Sequence, residues 1–243
     1  MQRRLLGPLN TIITGGLDRR GGGDGPVVVL MHGFGAPGDN LVSLARVLDV
    51  PPEVRFVFPA APIDLGPAYM GGRAWWMIDL LRLQQKAAEG RYDELVQREP
   101  EGLAAAHHQI QATLHALTLE LRVEPHRMII GGFSQGAMLA CHTVLHAKAN
   151  YAGLAMFSGT IVAQPSWQRA MQTHTPLPVF MSHGSEDMIL PFSTSEALKM
   201  QFEHAGYPVD WRPFWGGHEI AEPVVYAFAE FVRRIWFTRK EGS

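Results

Sequence analysis

Continuous apolar runs alternate along the chain with stretches in which apolar residues recur at three- and four-residue steps. Val27-Val28-Val29-Leu30-Met31 is such a run, the pattern of a strand covered on both faces. Residues 39–48 follow with Leu41, Leu44, Ala45 and Leu48 on one helical face, and residues 54–58 form the next strand, ended by Pro59. Leu103, His107, Ile110, Leu114, Leu117 and Leu121 predict an amphipathic helix of about five turns, stopped by Pro125. Met128-Ile129-Ile130 opens another buried strand. The second half repeats the scheme. Helices are predicted over 135–146, 193–204 and 223–236, and strands over 154–157, 179–182 and 209–214. Residues 9–14 predict an edge strand before the Gly21-Gly22-Gly23 turn. Strands alternating with helices imply an α/β fold, a mostly parallel central sheet with helices on both faces.

One segment breaks the alternation. Residues 60–101 show no clear strand, yet they carry Tyr69, Met70, Trp75, Trp76 and Met77 before a charged stretch. Connections this long are rarely structureless. The aromatic density predicts a small inserted cap-like segment, with its tryptophans packed into the core or lining a pocket. Both hold if one of Trp75 and Trp76 faces inward and the other outward.

Composition narrows the class. The 243 residues fit a single domain spanning 1–243, and 47% hydrophobic with 18% charged residues excludes a wholly disordered chain. A formal net charge of −2 without a basic run leaves no footprint for nucleic acid or an anionic membrane. The lone Cys141 excludes an intramolecular disulfide and a cysteine-based zinc site. Arg3-Arg4 is followed by a short stretch broken by Gly7, Pro8 and Asn10, too short for a signal peptide, and no run is long enough to span a membrane. The expectation is a soluble cytoplasmic protein without integral membrane association.

The chemistry gathers at predicted strand ends. Gly132-Phe133-Ser134-Gln135-Gly136 lies between a buried strand and a helix, the setting of a nucleophile elbow. A serine hydroxyl needs a base to accept its proton. In such a fold the acid and then the base follow the serine, each in a loop after a strand. Asp187 lies in Ser182-His183-Gly184-Ser185-Glu186-Asp187, and His218 in Trp215-Gly216-Gly217-His218-Glu219. His32 and His183 are rival bases, but both precede the acid and read as loop-shaping. Glu186 is the rival acid, and Asp187 is favoured by its place at the loop tip before Ile189. An oxyanion calls for N–H donors from Gln135 and from the loop His32-Gly33-Phe34-Gly35-Ala36-Pro37-Gly38, where Phe34 is assigned. That loop lacks the Lys-Ser/Thr of a phosphate-binding loop. His142 and His146, four apart, have no third ligand at fitting spacing and read as a solvated helix face, so no metal is expected. Cys141, in the same helix, reads as packing.

These motifs, together with Phe58-Pro59-Ala60-Ala61-Pro62 and Phe157-Ser158-Gly159, occur in one order that resembles the phospholipase/carboxylesterase family of α/β-hydrolases, which includes bacterial carboxylesterases and acyl-protein thioesterases. The resemblance covers roughly residues 25–237. It implies an α/β-hydrolase fold with Ser134, Asp187 and His218 as a catalytic triad, Phe34 and Gln135 as oxyanion donors, and no cofactor. The family's tryptophan segment is matched loosely by Ala74-Trp75-Trp76-Met77-Ile78-Asp79, and residues 84–101 exceed the shortest members. The expected function is hydrolysis of short-to-medium carboxylic esters through an acyl-enzyme, with Tyr69, Met70, Trp75, Trp76, Met188, Ile189 and Leu190 lining the acyl site. The partner is a small-molecule ester or thioester. Alternatives are an acyl(-protein) thioesterase or lysophospholipase and, from another class, a silent binding protein on a hydrolase scaffold.

Overall fold

A computed structural model describes residues 1–240. Among them are strands β1 (Gln2–Leu6), β2 (Leu9–Gly15), β3 (Val27–Met31), β4 (Arg55–Pro59), β5 (Ile63–Asp64), β6 (Arg73–Ala74), β7 (Met128–Phe133), β8 (Gly153–Phe157), β9 (Val179–Gly184) and β10 (Val209–Phe214). The helices are α1 (Leu44–Val47), α2 (Leu80–Ala88), α3 (Asp93–Val96), α4 (Leu103–Leu121), α5 (Gln135–Leu145), α6 (Gln164–Thr173), α7 (Phe192–His204) and α8 (Glu222–Lys240). Eight strands form one sheet in the order β1-β2-β4-β3-β7-β8-β9-β10, while β5 and β6 form a separate two-stranded ribbon that also touches the loop after β3 through an Ala36–Arg73 bridge. Within the eight-stranded sheet the β1/β2 and β2/β4 pairs are antiparallel and the remainder parallel; β5 and β6 are antiparallel.

The continuous apolar strands are explained by two cores, one on each face. Val27, Val29 and Met31 of β3 meet Ile110, Leu114 and Leu117 of α4 and Leu139 of α5. Val28 and Leu30 point the other way, to Phe228, Phe231 and Val232 of α8. A strand in this position has no solvent face and so shows no polar alternation. The fully buried Arg55 is satisfied by carbonyls: Nε and Nη2 donate to Gly25 O, and Nη1 to Leu121 O at 2.8 Å, at the C-terminal end of α4.

Several expectations change. The 9–14 strand is not at the edge, because β1 pairs outside it. Residues 39–48 form a 3-10 turn over Asn40–Ser43 and a single helical turn, α1. The long helix ends at Arg122, in the left-handed conformation, before Pro125 is reached. Helix α6 is additional, and it overturns the solvated reading of His142 and His146. It lays Trp167 over α5, where the indole Nε1 donates to His142 Nδ1 at 3.1 Å. His142 is buried, its ring 4.1 Å from that of His146 and 4.9 Å from that of His107 on α4.

Burial, with the neighbouring imidazoles adding to it, pushes His142 down to about 3 and His107 to about 4 from an ordinary 6.5. Below pH 6.5 the unfolded chain therefore binds protons that the folded chain refuses. Stability should be full above that pH and decline as pH falls from 6.5 toward 4. Urea midpoints at pH 7 and 4.5 test this, with His142→Gln expected to flatten the decline. An equal slope in the variant would contradict it.

Candidate active site

Ser134 stands between β7 and α5 with φ +53° and ψ −117°, a left-handed backbone that is costly for a residue with a Cβ. Its neighbours make the turn possible. A Cβ on Gly132 would lie 2.5 Å from Met31 O, and one on Gly136 would lie 2.1 Å from the same oxygen. Only glycine allows β7, the turn and the end of β3 to approach so closely. Ser134 N donates to Phe157 O at 2.9 Å, which fixes the turn to β8.

The loops after β9 and β10 bring two side chains to this serine. His218 Nε2 is 2.8 Å from Ser134 Oγ, and His218 Nδ1 is 2.6 Å from Asp187 Oδ2. With the carboxylate ionised, Nδ1–H donates to Asp187 and Nε2 accepts a hydrogen bond from the serine hydroxyl. Phe133 packs on the imidazole, ring centres 4.9 Å apart. The histidine loop is held by Ser158, whose Oγ donates to Glu219 O at 2.9 Å. A Cβ on Gly184 would fall 2.3 Å from the Gly216 and Gly217 carbonyls, so β9 and this loop also meet through glycine.

Asp187 is buried and surrounded by donors. Oδ1 accepts from Ile189 N at 2.8 Å and Leu190 N at 2.9 Å. Oδ2 accepts from His218 and lies 3.1 Å from His183 Nε2. Burial works against the charge, but the hydrogen bonds from His183, His218 and Leu190 N outweigh it and hold the carboxyl below the usual carboxylate range. His183, fully buried, also faces Leu190 O at 3.0 Å, so it shapes the acid loop. The rival acid Glu186 is exposed. His32 is buried, with Nδ1 donating to Gly33 O at 2.8 Å and Nε2 accepting from Ala61 N at 2.9 Å. Burial pushes it down to about 4, and the neutral ring fixes the loop that carries Phe34.

The N–H of Gln135 lies in the first turn of α5, where a helix supplies no acceptor. The side chain of Gln135, which sequence reasoning overlooked, is fully buried and bonded to the backbone of Trp75 and Trp76.

The acyl-site expectations need correction. Trp75 and Trp76 are both inside, neither turned outward. Trp75 packs against the His32 ring at 5.5 Å, and Trp76 lies against Gly102 at the start of α4. Leu190 is also buried, its backbone spent on Asp187. Met70 and Met188 point outward, 94% and 84% exposed. Tyr69 is half-exposed and stands edge-on to Phe34 at 6.0 Å, and Ile189 is partly buried. Trp215, three residues before His218, is 86% exposed and was not singled out from the sequence. No cluster of three or more His, Cys, Asp or Glu side chains among the described residues could hold a metal ion. No helix among them is long and apolar enough to cross a membrane.

A mostly parallel sheet with a serine on a strained strand-to-helix turn, and a histidine and an acid delivered from later strand ends, defines a serine hydrolase of the α/β-hydrolase fold. Residues 22–236 match the model of the Phospholipase/Carboxylesterase family, and the chain belongs to that family. It is 26% identical over 218 residues to "Acyl-protein thioesterase 1" of Gibberella zeae, covering 85% of this chain and 89% of the relative. The protein of the same name from Eremothecium gossypii is 30% identical over 189 residues, with 72% and 71% covered. Among solved structures, esterase PE8 superposes with a TM-score of 0.78 at 28% identity, covering 93% of this chain and 99% of that one. The chain is accordingly a hydrolase that acts on ester bonds.

The close packing at the turn is testable. Gly136→Ala should destabilise the fold by about 3 kcal/mol, because backbone on both sides must move. Gly217→Ala, with open space around its Cβ, should change stability by less than about 0.5 kcal/mol. Urea denaturation of both variants checks the contrast, and equal effects would refute it.

Proposed function

We propose that the protein is a carboxylesterase in which Ser134 is the nucleophile, His218 the general base and acid, and Asp187 the group that orients the imidazole. The carrying observation is the unbroken hydrogen-bonded line Ser134 Oγ–His218 Nε2 at 2.8 Å and His218 Nδ1–Asp187 Oδ2 at 2.6 Å. His218 takes the hydroxyl proton as Oγ attacks the acyl carbon. The oxyanion is held by the N–H groups of Phe34 and Gln135. His218 then passes the proton to the departing alcohol, and water releases the acyl group by the same steps. The ionised Asp187 keeps the imidazole in the productive tautomer and stabilises the imidazolium.

For the substrate we infer short-to-medium acyl esters. The withdrawal of Trp75, Trp76 and Leu190 into the core, which removes three of the candidate acyl contacts, supports this reading. Tyr69 beside Phe34 and Ile189 beside Asp187 supply the inner acyl contacts in this reading. Met70 and Met188 form the outer rim, and α2, none of whose residues is buried, forms the cap. The names of the fungal relatives favour a second reading, an acyl thioesterase, which uses the same machinery.

Ser134→Ala should lower kcat by roughly 10³–10⁶-fold. Full esterase activity in that variant, purified free of host esterases, would overturn the assignment. Esters graded by acyl length, run beside the matching thioesters, decide the substrate. A maximum at short and medium esters is expected, and a steep optimum at long chains or at thioesters would replace the first reading with the second.

A further inference from the structure

The two proposed oxyanion donors belong to different elements. Phe34 is on the loop after β3, and Gln135 opens α5. Such donors stabilise a developing charge only if their spacing is fixed in advance. The loop has little stiffness of its own: Gly33 and Gly35 flank Phe34, and Gly35 has φ +79°. What fixes it comes from the inserted segment.

Four consecutive residues, 73–76, contact both donors' surroundings. Gly35 N donates to Arg73 O at 2.9 Å, and Arg73 N donates to Ala36 O at 2.9 Å, so the backbone of β6 pairs with the loop just beyond Phe34. The Trp75 indole Nε1 donates to His32 O at 2.9 Å, just before it. On the other side, Trp75 N donates to Gln135 Oε1 at 3.0 Å, and Gln135 Nε2 donates to Trp76 O at 2.7 Å. The Gln135 amide thus uses both its donor and its acceptor on one stretch of backbone, with no exposed surface. Being directional and buried, these bonds transmit position rather than merely fill space.

We propose that residues 73–76 are a brace that sets the distance between the Phe34 and Gln135 N–H groups, with the Trp75 indole and the Gln135 side chain as positioning residues for the oxyanion. This deepens the function proposed above and rests on it. The tryptophan segment, expected to offer acyl-binding surface, instead holds the groups that would meet the acyl oxygen. Gln135 has two separate tasks. Its backbone N–H points to the oxyanion, and its side chain ties that N–H to the opposite donor.

The test uses the full chain and two substitutions that leave the backbone N–H in place. Trp75→Phe keeps an aromatic ring and removes one donor. Gln135→Met keeps the approximate shape and removes both side-chain bonds. Each variant is assayed for ester turnover per titrated active site, and for affinity to a trifluoromethyl ketone. In that adduct Ser134 Oγ bonds to the ketone carbon, its proton moves to His218, and the ketone oxygen becomes the oxyanion.

A 1 Å misplacement can cost about 10²-fold, and loss of a whole donor about 10²–10³-fold. Trp75→Phe should lower kcat by roughly 3–10-fold and Gln135→Met by roughly 10–100-fold, with KM within about twofold. Ketone affinity should fall by the same factor as kcat/KM. A folded Trp75→Phe or Gln135→Met with unchanged kcat per active site and unchanged ketone affinity would overturn the brace, whatever its loss in Tm. If Gln135→Met does not fold, Trp75→Phe decides alone. A wild-type chain with neither ester turnover nor ketone binding would overturn the parent reading and the brace together. An active wild type with unaffected variants overturns the brace only.

Discussion

The site depends on one close approach. The last carbonyl of β3, on Met31, lies where side chains at positions 132 and 136 would otherwise be. Because both positions are glycine, β7 can end beside β3 and turn at once into α5, leaving Ser134 at φ +53°. Such a conformation costs on the order of 1–3 kcal/mol and persists only where its surroundings fix it. Here they are the parallel β3/β7 and β7/β8 pairings and the Ser134 N bond to Phe157 O. The same contact sets the loop that carries Phe34, the proposed oxyanion donor, since His32 and Gly33 follow Met31 directly. A Cβ on Gly33 would lie 3.3 Å from that of Ser134. Strand order thus becomes chemistry: the central strands meet, and the loops at their ends meet with them.

Electrostatics completes what packing begins. Asp187 is removed from water but receives two backbone N–H bonds and faces two imidazoles. A buried carboxylate with fewer donors would tend to take up a proton and lose its hold on His218. His32, the rival base, is kept neutral by burial, and both its ring nitrogens are engaged by backbone groups. Two histidines after parallel strands therefore serve opposite ends, and the difference lies in what each ring nitrogen meets.

Much of the fold was legible because buried parallel strands and a two-faced helix leave plain patterns. The Val27–Met31 and Val209–Phe214 strands carry the expected bounds, and the long helix begins at Leu103 as its apolar repeat implies. The elements that escaped notice have patterns set by partners rather than by their own residues. Strand β1 lacks a buried-strand pattern because its arginines face solvent on an edge hairpin. Helix α6 buries only Trp167 and Met171. Without α6, the covering of His142 could not be anticipated. Around the site, the order of serine, acid and histidine was readable, since loops after parallel strands converge on one edge. The bonds of Gln135, Ser158 and His183 were not, because each joins loops distant in sequence and leaves no spacing rule. Both tryptophans take the core-packed alternative, and spacing alone did not choose it over pocket lining for a related reason. Alternation holds along a strand with one solvent face, and the chain around Trp75 and Trp76 has none.

In the proposed mechanism Ser134 is a nucleophile activated by the fold that holds it. Labelling of the native chain with a fluorophosphonate, followed by peptide mass mapping, tests it most directly. One adduct is expected, on Ser134, and it disappears when the chain is denatured before the reagent is added. A native chain with no adduct at Ser134, or with the label on another serine, would contradict it.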